Sequence, residues 1–403
     1  MEWKTVKLGD YIEDIAAGPF GSNLKVECFV SDGFPIIDGA NLKGFVVTDN
    51  ITKFVTEEKA RSLHRAIATR GEVVVTISGN VGQIAYIPKD SKYKEYLVSQ
   101  RQFRVRFNNE VDIKYLIYYF HSYEGQHKIL SFANQTGVPA LAQPLKNFRN
   151  IEMDLPSLAD QRRIAAILSA LDDKIENNNR INANLEAQAQ ALFKSWFVDF
   201  EPWGGVMPKD WKEGVLGELC STNKRTYKGT FSHIIEYVDT GSVTKNRIES
   251  VQILNPNVDK IPSRARRFVT EGDILFSSVR PNQNHYMFLY NPASNMVAST
   301  GFVVITANRS AFRYYIYQYI IQEEIINHLQ AIAEQSVSTY PSINASDITN
   351  LEILIPSDKV IDEYAKIMVQ IMAQIDANNR ENQRLAALRD TLLPKLMKGE
   401  IAL

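Results

Sequence analysis

Ser78-Gly79-Asn80-Val81-Gly82-Gln83 places a hydroxyl and two carboxamides on a glycine-flexible loop, directly after the apolar run Val73-Val74-Val75-Thr76-Ile77. About 200 residues later, Ser277-Ser278-Val279-Arg280-Pro281-Asn282-Gln283-Asn284 follows Ile274-Leu275-Phe276 in the same way. Planar amides and guanidinium groups present paired donors and acceptors. That geometry distinguishes base edges in the major groove, with Arg suited to guanine and Asn or Gln to adenine. Lysines and arginines nearby would neutralise phosphates. In Gln100-Arg101-Gln102-Phe103-Arg104-Val105-Arg106 the residues alternate, so Gln102, Arg104 and Arg106 should share one strand face. The expected contact set is Lys43, Ser78, Asn80, Gln83, Arg101, Gln102 and Arg104 in the first half of the chain. In the second half it is Lys245, Arg247, Arg266, Ser277, Arg280, Asn282 and Gln283, with Arg264 and Arg267 beside Arg266.

Other chemistry finds no matching pattern. The chain has no Gly-x4-Gly-Lys-Ser/Thr phosphate loop and no Gly-x-Ser-x-Gly nucleophile turn. Its Asn-Pro pairs, Asn255-Pro256-Asn257 and Asn291-Pro292-Ala293, lack the aromatic residue that an amino-methyltransferase stacks on its base. The six histidines (64, 121, 127, 233, 285 and 328) are scattered, and Cys28 and Cys220 are far apart, so no metal-ligand spacing occurs. The expectation is a chain with no active site and no metal.

What must hold two such loops is written twice. Leu155-Pro156-Ser157 recurs as Ile355-Pro356-Ser357, and Ile175-Glu176-Asn177-Asn178-Asn179-Arg180 recurs as Ile375-Asp376-Ala377-Asn378-Asn379-Arg380. Gly71-Glu72-Val73 resembles Gly272-Asp273-Ile274, and the aromatic run Tyr115–Phe120 resembles Tyr314–Tyr319. The reading is α+β: two globular recognition domains with pseudo-two-fold symmetry, over 1–155 and 202–355, and two long helical blocks, 156–201 and 356–403. The breaker-rich run Phe200-Glu201-Pro202-Trp203-Gly204-Gly205-Val206-Met207-Pro208 marks a boundary. The aromatic runs, at helical spacing, read as domain core rather than as stacking platforms.

Residues 157–198 contain neither Gly nor Pro, and Ser157 with Asp160 makes a capping box. Steps of four and three residues give a seam through Leu171, Ile175, Asn178, Asn182 and Leu185, and a matching one through Ile371, Ile375, Asn378, Asn382 and Leu385. That is the 3.5-residue period of a coiled coil, with seam asparagines that fix register. A pseudo-two-fold axis makes the helices antiparallel. Each would be about 60 Å long, against about 34 Å for one turn of B-DNA, enough to hold two reading heads on separated half-sites. On this reading, replacing Asn178 and Asn378 with Leu should raise stability and loosen register.

Charge and composition bound the rest. With 45 basic and 46 acidic side chains the net charge is −1, and none of the four blocks departs from neutrality by more than two charges. Phosphate attraction alone would therefore bind DNA weakly. Hydrophobic residues at 45% and no apolar run of membrane length describe a soluble globular chain, expected in the reducing cytoplasm.

The run Leu155-Pro-Ser-Leu-Ala-Asp-Gln-Arg-Arg-Ile-Ala-Ala-Ile-Leu-Ser-Ala-Leu-Asp-Asp-Lys-Ile175 resembles the first conserved region of a type I restriction–modification specificity (S) subunit. Leu192-Phe-Lys-Ser-Trp-Phe-Val-Asp-Phe200, Gly18-Pro-Phe-Gly-Ser-Asn-Leu24, Thr136-Gly-Val-Pro-Ala-Leu141 and Leu392-Leu-Pro-Lys-Leu-Met-Lys-Gly-Glu400 extend the resemblance. It implies two target-recognition domains, each reading half of a bipartite double-stranded DNA site, with the helices as spacer. It also implies docking to two methyltransferase (modification) subunits that carry S-adenosylmethionine, and recruitment of restriction subunits that use ATP and Mg²⁺. The chain itself would bind no cofactor. A self-contained methylation or restriction enzyme, and a coiled-coil scaffold with protein-binding heads, are the rival readings.

Overall fold

The computed structural model describes residues 3–42, 44–134, 138–227, 229–335 and 341–401. Lys43 and the stretches 135–137 and 336–340 lie outside the described residues, so the candidate contact at Lys43 and the start of the Thr136–Leu141 run have no structural account. The chain divides into two compact units, 1–175 with 383–403 and 176–382. The division falls inside the two long helices.

In the first unit a four-stranded antiparallel sheet runs in the order Ile12–Ala17, β3 (Gln102–Phe107), β1 (Val73–Thr76), β2 (Ile84–Tyr86). A second sheet of five strands contains a parallel pair, Phe34–Ile37 with Glu95–Val98. Trp3–Lys7 pairs with Glu152–Pro156, just ahead of the first long helix. The first aromatic run lies on helix Ile113–His121, which is followed by helix Tyr123–Leu130. Ser122 separates them and caps the second by accepting from Gly125 N. Tyr115, Phe120, Phe103 and Phe148 form the core of this unit, so the first aromatic run is structural.

The second unit repeats this plan. Its four-stranded sheet runs Cys220–Thr222, β6 (Phe302–Ala307), β4 (Ile274–Ser277), β5 (Tyr286–Phe288), and its second sheet has the parallel pair Ile235–Val238 with Met296–Ser299. Lys212–Val215 pairs with Glu352–Ile355. Tyr314, Tyr315 and Tyr317 are buried on the first of its helices, Phe312–Ile320.

The helices α1 (Leu158–Phe197) and α2 (Asp358–Met397) are 40 residues each. Ser157 starts α1: its Oγ accepts from Asp160 N at 3.2 Å and donates to the Asp160 carboxylate at 2.9 Å. In the first unit Ile164 and Leu168 of α1 share a core with Leu393, Leu396 and Met397 of α2, and Arg389 donates to Asp172 at 2.6 Å. In the second unit Trp196 and Phe197 of α1 pack on Tyr364 of α2, ring centroids 5.9 and 4.9 Å apart. Numbers rise along one helix as they fall along the other, so the pairing is antiparallel.

The asparagines form the middle of this seam, all within the second unit. Asn178 Nδ2 donates to Asn382 Oδ1 at 2.9 Å and to Glu381 at 2.7 Å, and Asn378 Nδ2 donates to Asn182 Oδ1 at 2.7 Å. Asn182 reaches Asn379 and Asn382 reaches Asn179, at 2.9 and 3.0 Å. Adding 200 to every α1 number and subtracting it from every α2 number reproduces both cross-bonds. Ile375 is buried, while Leu171, Ile175, Leu185, Ile371 and Leu385 are half-buried, as befits a two-helix seam open on its flanks.

Candidate nucleic-acid interface

The first candidate loop leaves β1 at Thr76 and returns to β2 at Ile84. Gly79 and Gly82 stand at φ +87° and +89°, a conformation that a β-carbon disfavours. The loop is held from both sides: Gly79 N donates to Pro139 O at 3.1 Å, Leu141 N to Ile77 O at 2.9 Å, and Ile77 N to Arg101 O at 2.7 Å. Beside it opens a cleft of about 540 Å³. Ser78, Asn80, Gln83, Arg101 and Gln102 all line it, so the fold gathers five of the seven first-half candidates. A β-carbon on Gly39 would lie 3.4 Å from Gln83 Oε1 and 3.7 Å from Gln102 Nε2, so both amides face one point of bare backbone. Gln83 accepts from Thr76 Oγ1 at 3.3 Å, and Gln102 accepts from the Ser99 hydroxyl. Asn80 and Arg101 are exposed at the rim.

Arg104 does not join them. Its side chain is 7% exposed and its guanidinium bonds Asp14 at 2.6 Å, Glu72 at 3.2 Å and Arg65 O at 2.8 Å. Glu72 is buried, and a buried carboxylate without a cation costs several kcal/mol, roughly 3–5, so Arg104 is committed to the interior. Alternation did place Gln102, Arg104 and Arg106 on one face: Arg104 and Arg106 both reach Glu72.

The second loop has the same shape with different residues. Arg280 N donates to Pro341 O at 3.0 Å and Ile343 N to Ser278 O at 2.8 Å, the counterparts of Gly79 to Pro139 and Leu141 to Ile77. Arg280 and Asn284 occupy the left-handed positions at φ +48° and +58°, where the first loop has glycines. The turn closes through Thr76 N to Gln83 O in the first unit and Ser277 N to His285 O in the second, so the second loop is one residue longer. His285, and not Gln283, therefore takes the place of Gln83. Sequence reasoning missed it, and only strand register would have found it. His285 Nδ1 lies 2.5 Å from Val243 O.

Next to this loop, Val243–Thr244 and Arg247–Ile248 form a hairpin whose turn residues, Lys245 and Asn246, are both left-handed at φ +43° and +61°. Lys245 N donates to Asn284 O at 2.9 Å, which brings Lys245 and Arg247 beside Arg280, Asn282 and Gln283. All five are exposed. Ser277 is a correction: it is buried, its hydroxyl donates to Val279 O at 2.9 Å, and it shapes the turn. Arg266 is another. It donates to Ser263 O and Gly229 O at 3.1 and 2.9 Å, in a separate cleft of about 270 Å³ lined by Phe231 and Pro262. Arg267 is turned to Thr226.

Asn246 fixes the hairpin. Its Oδ1 accepts from Phe288 N at 2.9 Å and its Nδ2 donates to Glu186 of α1 at 3.2 Å. Burial raises the Glu186 carboxyl above its ordinary range, against the lowering pull of Asn246, Arg247 and Lys245. A raised acid binds protons more tightly when folded, so it lends stability at low pH that is lost as pH rises through the folded value. Glu186→Gln keeps the shape and removes the charge. It is expected to raise the melting temperature at pH 7 and to leave it unchanged near pH 4. Thermal melts across that range check this, and a lower melting temperature at pH 7 would show that the carboxylate is needed for its charge.

Among the described residues no group of His, Cys, Asp and Glu could hold a metal ion. The family model described as "Type I restriction modification DNA specificity domain" matches residues 1–187 and again 208–387. The chain belongs to this family. It serves DNA sequence recognition and is not itself a catalyst, as its family's description and its relatives' names indicate. The type I restriction enzyme MjaIX specificity subunit of Methanocaldococcus jannaschii is 25% identical over 99% of this chain and 94% of its own length. The HindI specificity subunit of Haemophilus influenzae is 28% identical over 45% of this chain and 40% of that one. The crystal structure of the type I restriction-modification S subunit from M. genitalium superposes with a TM-score of 0.59 at 17% identity, covering 98% of this chain and 96% of that one. This likeness shows that the specificity-domain chain shares its fold.

Proposed function

We propose that each unit reads one half of a bipartite duplex target, through the loops at 77–83 and 278–285 and the side chains gathered beside them. The observation that carries this is the duplicated loop: it is anchored by matching main-chain bonds in both units, with Asn80, Gln83, Arg101 and Gln102 on or beside it in the first and Lys245, Arg247, Arg280, Asn282 and Gln283 in the second. The functional division is 1–155 and 202–355 for reading, with 156–201 and 356–403 as spacer helices that set the gap and dock methyltransferase subunits. Those subunits supply S-adenosylmethionine, and restriction subunits supply ATP- and Mg²⁺-dependent cleavage in the cytoplasm. No described helix is long and apolar enough to cross a membrane. The chain's near-neutral charge supports a division of labour in which partners provide much of the phosphate attraction.

Methylation mapping in cells that carry this chain with its methyltransferase tests the proposal. The expected result is a motif of two unlike halves with a fixed gap. Asn80→Ala with Arg101→Ala should relax the bases of one half only, by about 1–3 kcal/mol per lost bidentate contact. A four-residue insertion in each long helix should change the gap and leave the half-sites alone. Changed half-site bases in the insertion variant, or a continuous motif, would overturn the spacer reading. Methylation or cleavage by the chain alone would favour a self-contained enzyme.

A further inference from the structure

We propose that Phe20 is a wedge that stacks on a base step of duplex DNA at the edge of the first half-site. The ring is 82% exposed and touches no other ring among the described residues. Single exposed apolar side chains are common; Phe20 is set apart by where its backbone is held. Its turn is held in place from both sides. Gly18 N donates to Gln102 O at 2.8 Å, and a β-carbon on Gly18 would meet Ser99 O at 1.9 Å, so this backbone is pressed against the Ser99–Gln102 segment. On the other side Asn23 N donates to Phe20 O at 2.8 Å, and Leu24 is buried where it lines the reading cleft. A β-carbon on Gly21 would lie 2.8 Å from Gln100 Oε1. The aromatic is thus pinned, facing outward, to the segment that carries Arg101 and Gln102.

This placement selects the ligand. An anchored aromatic beside a cationic, amide-lined cleft suits the π-face of a base, and apolar wedges at such places unstack base steps and bend the duplex. Among the described residues the second unit has no Phe, Tyr or Trp ring as exposed as Phe20. After Cys220–Thr222 its chain turns at Asn223, left-handed at φ +53°, which bonds Val304 through both main chain and side chain, and Arg225 then turns inward to Asp273. Distortion should therefore mark one half-site only.

The inference rests on the half-site reading, and the experiment separates the two. The full chain, with its modification subunits, is titrated onto its mapped target and onto a scrambled duplex, with 2-aminopurine placed in turn at steps flanking each half-site. Wild type should brighten the probe beside the first half-site alone. Phe20→Ala should keep the wild-type melting temperature, lose the brightening and bind the target roughly ten-fold more weakly. A mismatch at the same step, which is already partly unstacked, should tighten wild type and not Phe20→Ala. Target preference with a silent probe, or with Phe20→Ala equal to wild type, overturns the wedge alone. So does loss of the modification subunits from Phe20→Ala with its DNA affinity unchanged, which would make the ring a protein anchor. Wild type that does not prefer its target to the scrambled duplex overturns the half-site reading, and the wedge with it.

Discussion

Arg104→Ala should destabilise the first unit by about 3–5 kcal/mol, a large share of the roughly 5–15 kcal/mol that holds a typical protein folded. Arg104 serves two carboxylates, and one of them, Glu72, is buried. Glu72 would keep Arg106 at 2.6 Å and the Thr69 hydroxyl at 3.0 Å, but Arg106 is half exposed and its attraction is partly screened by water. The loss therefore belongs towards the lower end of the range. Urea unfolding measures it, and a loss below about 1 kcal/mol would show that Arg106 alone can hold the buried carboxylate. Arg101→Ala, three residues away and exposed, should change stability by about 0.5 kcal/mol or less while weakening DNA binding. Acid weakens the same network. Burial raises the Asp14 carboxyl and Arg104 lowers it, the net effect being below its ordinary range. Its contribution is present above the ordinary carboxylate range and disappears as pH falls through the lowered value.

Single substitutions in the asparagine ladder should be worse than paired ones. Asn378→Leu removes the donor to the buried Asn182 oxygen, leaving it without that partner at a loss of about 1–3 kcal/mol, while the exposed Gln374 can turn to water. Asn182→Leu with Asn378→Leu removes a whole rung and should return to within about 1 kcal/mol of wild type or above it, because apolar pairs fill such sites well. The restored variant should also show additional registers or oligomers, since the polar rung is what rejects them. A double-mutant cycle with sedimentation analysis checks both statements, and a paired variant weaker than the sum of its singles would deny the rung. Repeat symmetry suggested replacing Asn178 with Asn378. The structure corrects this: Asn178 pairs with Asn382 and Asn378 with Asn182, so that choice breaks two rungs and should destabilise.

The helices, their cap and their antiparallel seam were legible because each depends on spacing along the chain. The 200-residue offset also located both candidate loops. What spacing cannot show is which face of a strand another layer covers. Arg104 shares a face with Gln102 as alternation requires, yet its guanidinium closes over Glu72 in the interior. His285 was hidden by the extra residue in the second loop, which shifts the match at the end of that loop. Ser277 and Arg266 were chosen for their chemical type, but the Val279 oxygen takes the Ser277 hydroxyl proton, and Ser263 and Gly229 take two of the five Arg266 donors.

The asparagine rungs map onto themselves when the two helices exchange identities. Nothing in them distinguishes a partner within the same polypeptide from one supplied by a separate molecule. Two copies of a half-length polypeptide carrying one such helix could satisfy every cross-bond as a symmetric homodimer. Gene fusion of such a dimer would raise the local concentration of one helix near the other without adding a contact, and would leave each head free to diverge.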